Sequence, residues 1–282
     1  MKLNRTQWIV ISGAIVLLLV IYLFADTMKP HKDKPAAPMA NRDVAKETPE
    51  FDWQGYMTKV KVNITNPDTL KLIADWEKQA NIVAVQQLRD LYRSKGESVA
   101  EAYYTQQAVV LENTQTGKKD TAQLARAGYL YGATAAISND PAMHQYLINK
   151  AVESYQQLVQ WDSTNTDHRI HLASAYMDQG TAPMQGVGIL LDIVSKNPNN
   201  ADAQFMLGKF GIVSGQFDKA IVRLEKVVSL RPQNYDGLFL LAEAYRGKGD
   251  KTKAVELLKR CVRLVNKPEL KKEIEQYIQK IQ

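Results

Sequence analysis

Side chains able to do covalent or metal chemistry are few in this sequence: among 282 residues there are four His and one Cys. His168 and His171 stand three apart on an expected helix, so their imidazoles would share a face and could hold a metal between them. No third ligand of Cys, His or paired carboxylate lies near them, and solvated or packed histidines are expected, with no metal and no cofactor. Cys261 has no His placed to take its proton, which makes it a small buried residue rather than a nucleophile. There is no G-x-x-x-x-G-K-[ST] phosphate loop, no G-x-S-x-G elbow and no H-E-x-x-H helix, and Gly186-Val187-Gly188 marks an irregular helix start, not a dinucleotide loop. Asn63-Ile64-Thr65 is a glycosylation sequon by pattern only. Without a convergent acid, base or nucleophile, neither an enzyme nor a small-molecule substrate is expected.

The elements that could carry a binding function are easier to read. Residues 8–25 (WIVISGAIVLLLVIYLFA) contain no charge, and as a helix they would span roughly 27 Å, close to the thickness of a hydrocarbon core. Trp8 and Tyr22 sit where interfacial aromatics belong, behind a basic head of residues 1–7. A cleaved signal is disfavoured, because its apolar region is usually shorter and Leu23 would fall where a cleavage site wants a small residue. The reading is one transmembrane helix, 8–25, with the membrane as a partner. Lys2 and Arg5 before it and Lys29, Lys32 and Lys34 after it leave the positive-inside count nearly tied. Residues 26–50, with Pro30, Pro35, Pro38 and Pro49 among polar residues, read as a flexible linker. Residues 51–67 form a lead-in whose periodicity does not choose between helix and strand.

The formal charge of +6 comes entirely from the last stretch: Arg246 to Gln282 holds 11 Lys+Arg against five Asp+Glu, and the two signs balance before it. Such an end could bind acidic lipid or nucleic acid. In residues 269–282, however, Leu270, Ile274, Tyr277, Ile278 and Ile281 fall on one helical face with Lys271, Lys272, Glu273 and Glu275 off it, the pattern of a helix that caps a stack. Nucleic acid is therefore not expected as a partner.

The strongest signal is an internal period. A shift of 34 superposes Asp202 on Asp236, Phe205 on Phe239, Leu207 on Leu241, Gly215 on Gly249, Leu224 on Leu258 and Leu230 on Leu264, with small residues matched at Gly208 and Ala242 and at Ala220 and Ala254. A shift of 35 carries Leu172, Ala173 and Gly180 onto Leu207, Gly208 and Gly215. The extra residue lies in the turn after Gly180, where insertion is cheap. Each unit reads as two helices: one ending at its Gly, and one whose stripe (Ala220, Leu224, Val227, Leu230) ends before Pro232. Neither stripe can be buried alone, so units must stack.

LFLLAEAY at 238–245 followed by GDKTKA at 249–254, and LASAY at 172–176 followed by KNPNN at 196–200, resemble the tetratricopeptide repeat, with departures at Gly186, Gly211 and Cys261. The resemblance implies an all-α solenoid of helical hairpins, wound as a right-handed superhelix, with three units at 166–200, 201–234 and 235–268 and a capping helix at 269–282. Upstream, 68–165 reads as degenerate pairs: 120–138 with 141–161, and 68–95 with 97–113. In this family first helices line a concave wall, which here implies Asp167, Ile170, Ser174, Met177 and Asp178, then Asp202, Phe205, Lys209, Ile212 and Val213, then Asp236, Phe239, Glu243, Arg246 and Gly247. The candidate groove for a protein or peptide is Ile170, Ser174, Met177, Phe205, Lys209, Ile212, Phe239, Glu243 and Arg246. Two readings of Phe205 and Phe239 stay open: they grip a partner, or they seal the junctions between units. The Lys and Asn of the family's chaperone clamp are missing from this wall. The resemblance extends to anchored envelope proteins, which implies an inner-membrane protein with its solenoid on the periplasmic side, attending secretion, envelope assembly or cytochrome c maturation.

Overall fold

The computed structural model describes residues 50–281, so the head, the transmembrane helix expected at 8–25 and the linker up to residue 49 lie outside the described residues. Among the described residues no helix is long and apolar enough to cross a membrane. They form thirteen helices and no strand. The lead-in is helical: α1 is Trp53–Val62. It is followed by α2 (Pro67–Gln79), α3 (Ile82–Ser94) and α4 (Ser98–Thr116). The long pair comes next, α5 (Thr121–Ile137) and α6 (Pro141–Trp161). The three repeat units are α7 (Thr166–Gln179) with α8 (Pro183–Lys196), α9 (Ala201–Val213) with α10 (Phe217–Leu230), and α11 (Tyr235–Lys248) with α12 (Lys251–Leu264). The last helix is α13 (Pro268–Ile281).

Local chemistry explains where these helices start and stop. The side chains of Asn165, Asn200 and Asn234 accept hydrogen bonds from the amides of His168, Ala203 and Gly237, so each repeat unit opens on an Asn cap. Gly180, Gly215 and Gly249 take φ of 74°, 73° and 94° after the first helices, the left-handed region open to glycine. One expectation is corrected. Residues 68–95 are two helices, because Ala80 turns left-handed (φ 48°) and Asn81 caps α3 through the Ala84 amide. The pair expected there is α3 with α4, and α2 packs on α3 as an extra element.

Each second helix lies against its own first helix and against the next unit, and the first helices α7, α9 and α11 also touch in succession. Leu190, Leu224 and Leu258, equivalent in the repeat, are fully buried. The crossing within a pair depends on a small residue. A Cβ on Gly208 would lie 2.6 Å from Leu224 Cγ, so only glycine lets α9 approach α10 this closely. A similar close approach occurs upstream, where a Cβ on Gly128 would lie 2.9 Å from the Tyr155 ring, so α5 and α6 also cross at a small residue. In the N-terminal part, Glu101 of α4 is almost fully buried and takes charged hydrogen bonds at 2.8 Å from both Arg93 of α3 and Arg126 of α5. That triad ties three helices at one point, since the buried carboxylate holds an arginine from each neighbouring helix.

Candidate functional site

Ile170, Ser174 and Phe205 meet at a cleft of about 480 Å³ between α7 and α9, which Asp167, His171, Asp202 and Met206 complete. Its floor is apolar and its rim carries two carboxylates. The i, i+3 and i, i+4 spacings bring Asp167, Ile170, His171 and Ser174 onto one face of α7, and Asp202, Phe205 and Met206 onto the matching face of α9. His171 and Met206 were missed by the repeat register because each stands one position beyond a named residue. Helical geometry holds a signal for His171, which follows Asp167 by four.

The polar groups at the rim differ in how they are satisfied. Arg231 donates two hydrogen bonds to Asp202, at 2.6 and 2.8 Å, and holds that carboxyl below its usual range. Asp167 is exposed and has no ion pair among the described residues. The His171 ring stacks on Tyr155 at 5.2 Å and, though the residue is exposed, partial desolvation keeps its pKa below the ordinary imidazole value despite Asp167 and Asp202 nearby. Among the described residues no group of three His, Cys, Asp or Glu is placed to hold a metal. Cys261 is fully buried, its thiol donates to the Tyr235 carbonyl at 3.4 Å, and burial pushes its pKa up to about 11, far from the range of a reactive thiolate.

The other candidates are placed differently. Met177 turns toward α8, its Cγ 3.0 Å from where a Gly186 Cβ would stand. Lys209 is exposed, whereas Ile212 is half-buried against the core that also holds parts of Phe205 and Phe239. At the third unit α13 lies on the wall. The Tyr277 ring sits 6.2 Å from that of Phe239, and its hydroxyl donates to Glu243 at 2.5 Å. Burial and that carboxylate together push the Tyr277 pKa up to about 12. Glu243 also accepts from Arg246 at 2.8 Å. The two aligned phenylalanines therefore separate: Phe239 is covered by the chain's own last helix, and Phe205 both borders the next core and faces the cleft. The open wall is that of α7 and α9.

The basic end is partly paired on the surface of the chain itself, Arg246 with Glu243, Lys248 with Asp218 and Lys253 with Asp250. Ile274, Ile278 and Ile281 of α13 are buried, as a capping helix requires. A second cleft, of about 540 Å³, opens among α1, α2, α3 and α4 and is walled by Trp53, Met57, Trp76, Tyr103 and Tyr104. Its charged pair, Lys61 and Glu77, is closed on itself at 2.7 Å.

The tetratricopeptide repeat family matches residues 212–272. No curated protein matches the sequence. Among solved structures, a tetratricopeptide protein of Thermus thermophilus is 17% identical, with 71% of this chain and 98% of that one covered and a TM-score of 0.51, a likeness of fold. MamA is 24% identical over 65% of this chain and 91% of its own, with a TM-score of 0.45. YrrB, described as a tetratricopeptide protein with an unusual peptide-binding site, is 17% identical over 71% of this chain and 94% of its own, with a TM-score of 0.44. This chain thus carries a tetratricopeptide repeat segment at 212–272, and its described residues form an all-helical fold of tetratricopeptide type.

Proposed function

We propose that this protein is a non-enzymatic adaptor that holds a segment of a protein or peptide partner against the wall formed by α7 and α9. The observation that carries this reading is the cleft itself: Ile170, Phe205 and Met206 floor an opening bounded by exposed polar groups, on the face that first helices present. A cleft of this kind accepts an apolar anchor while its rim fixes orientation, as protein and peptide sites do. Affinity purification from detergent-solubilised membranes tests it. Phe205→Ser should abolish capture of a partner that the unaltered chain retains, with helical content nearly unchanged, because Phe205 lies outside the Gly208 and Leu224 crossing that holds its pair. Unaltered capture by the folded variant rejects the site.

The finer part of the proposal concerns place. Residues 8–25 anchor the chain in the inner membrane and the solenoid works on the periplasmic side, as an accessory of secretion, envelope assembly or cytochrome c maturation. What supports this is the uncharged apolar run and the resemblance to anchored envelope proteins. The chain should remain with membranes through carbonate and high-salt washing, because the hydrophobic gain of 18 apolar residues far exceeds that of surface charge contacts. Release by either wash contradicts the anchor.

A further inference from the structure

We infer that the segment held against α7 and α9 is cationic as well as apolar, presenting a large aliphatic or aromatic side chain beside a Lys or Arg. The inference rests on the adaptor reading and adds the chemistry of the partner. It starts from a register. Asp167, Asp202 and Asp236 open the first turns of α7, α9 and α11, and three residues after them come Ile170, Phe205 and Phe239. Residues three apart share a helix face, so α7 and α9 each offer a carboxylate and an apolar side chain side by side. The cleft joins two of these couples, Asp167 with Ile170 and Asp202 with Phe205, in one opening.

Charge then chooses among occupants. Asp202 is satisfied by Arg231, whereas Asp167 is exposed and has no ion pair among the described residues. Asp178, on the same wall, is bonded among the described residues only by the Ser174 hydroxyl, at 3.4 Å. Against these carboxylates stand Lys209 and the already paired Arg246, and His171 is biased toward its neutral form. The wall is thus acidic in a chain whose formal charge is +6. An acidic peptide, a nucleic acid or an anionic lipid would meet like charge there. A wholly apolar segment would cover Asp167 without pairing it, and a desolvated carboxylate without a partner is costly. A Lys or Arg beside the anchor removes both penalties.

Spacing narrows the pattern further. Helices in contact lie about 8 to 10 Å apart, which is roughly three residues of extended chain or about six residues of helix. A partner engaging both couples should repeat its apolar and basic features at that interval. First-turn aspartates also favour the helix dipole. That contribution is indifferent to what covers the wall, so binding and stability have to be read separately.

The test pans a displayed library of short random peptides on the full-length chain in detergent, alongside Phe205→Ser and the double variant Asp167→Asn/Asp178→Asn. Peptides whose retention needs Phe205 should be net positive, with Lys or Arg next to a large apolar residue. A selected peptide should bind the double Asn variant about 3- to 10-fold more weakly and should lose affinity as salt rises. The melting temperature of that variant, taken in parallel, shows whether the loss comes from binding or from a weakened helix. If the Phe205-dependent peptides are neutral or acidic, or bind the stable double variant unchanged, the cationic partner is excluded and the adaptor reading stands. If no peptide depends on Phe205 while the chain is folded, both fall.

Discussion

Leu224→Ala should lower the stability of the solenoid by about 2 to 5 kcal/mol, the range for emptying a fully buried leucine position. Its coupling to Gly208 makes the experiment specific to this fold. A Cβ on Gly208 would stand 2.6 Å from Leu224 Cγ, so Gly208→Ala alone overpacks the crossing, at a cost of roughly 1 to 3 kcal/mol offset in part by the better helix propensity of alanine. In the Leu224→Ala background that clash is gone, and the added methyl fills part of the void. The double variant should therefore be more stable than the sum of the single losses predicts, by on the order of 1 kcal/mol or more. Denaturant unfolding of the four proteins checks this. Strict additivity would mean that α9 and α10 do not cross at these residues.

Phe239→Ser is expected to destabilise the protein by about 2 to 4 kcal/mol, clearly more than Phe205→Ser, although the two positions are equivalent in the repeat. The difference is α13. Tyr277 lies tilted beside Phe239 and bonds Glu243, and Ile274, Ile278 and Ile281 are buried as part of the same core, so a serine at 239 leaves a cavity and a hydroxyl beneath the capping helix. Phe205 faces the cleft on one side, and its loss removes less packing. Circular dichroism melting of the two single variants separates them. Equal melting temperatures would show that α13 does not cover the third unit, and the groove would then extend to Phe239, Glu243 and Arg246.

These two phenylalanines also show how far the candidate site was legible. Ile170, Ser174 and Phe205, implied by the tetratricopeptide resemblance laid on the repeat register, meet at one cleft. Met177, Ile212, Phe239 and Glu243 were reached by the same rule and are engaged elsewhere. Register places a residue on a face of its helix; whether that face is open depends on what packs over it, and a helix some thirty residues further along cannot be positioned by a local pattern.

What the sequence determined by itself follows from short-range physics. The Asn caps, the left-handed glycines, the second-helix stripe and the 34-residue step are consequences of backbone hydrogen bonding and helical periodicity, and they place the six helices of the three repeat units and the all-α class. The aromatic lead-in at 51–67 and the break at Ala80 carry weaker local signals, which is why α1 stayed undecided and α2 and α3 were read as one. Only the tertiary structure decided which small residue meets which large one: Gly208 with Leu224 and Gly128 with Tyr155. It alone decided that Glu101 gathers two arginines from separate helices, and that α13 closes the wall at α11 while α7 and α9 keep theirs open. Those outcomes depend on side-chain volume and charge brought together across long stretches of chain, where the free energy belongs to the contact and to neither residue alone.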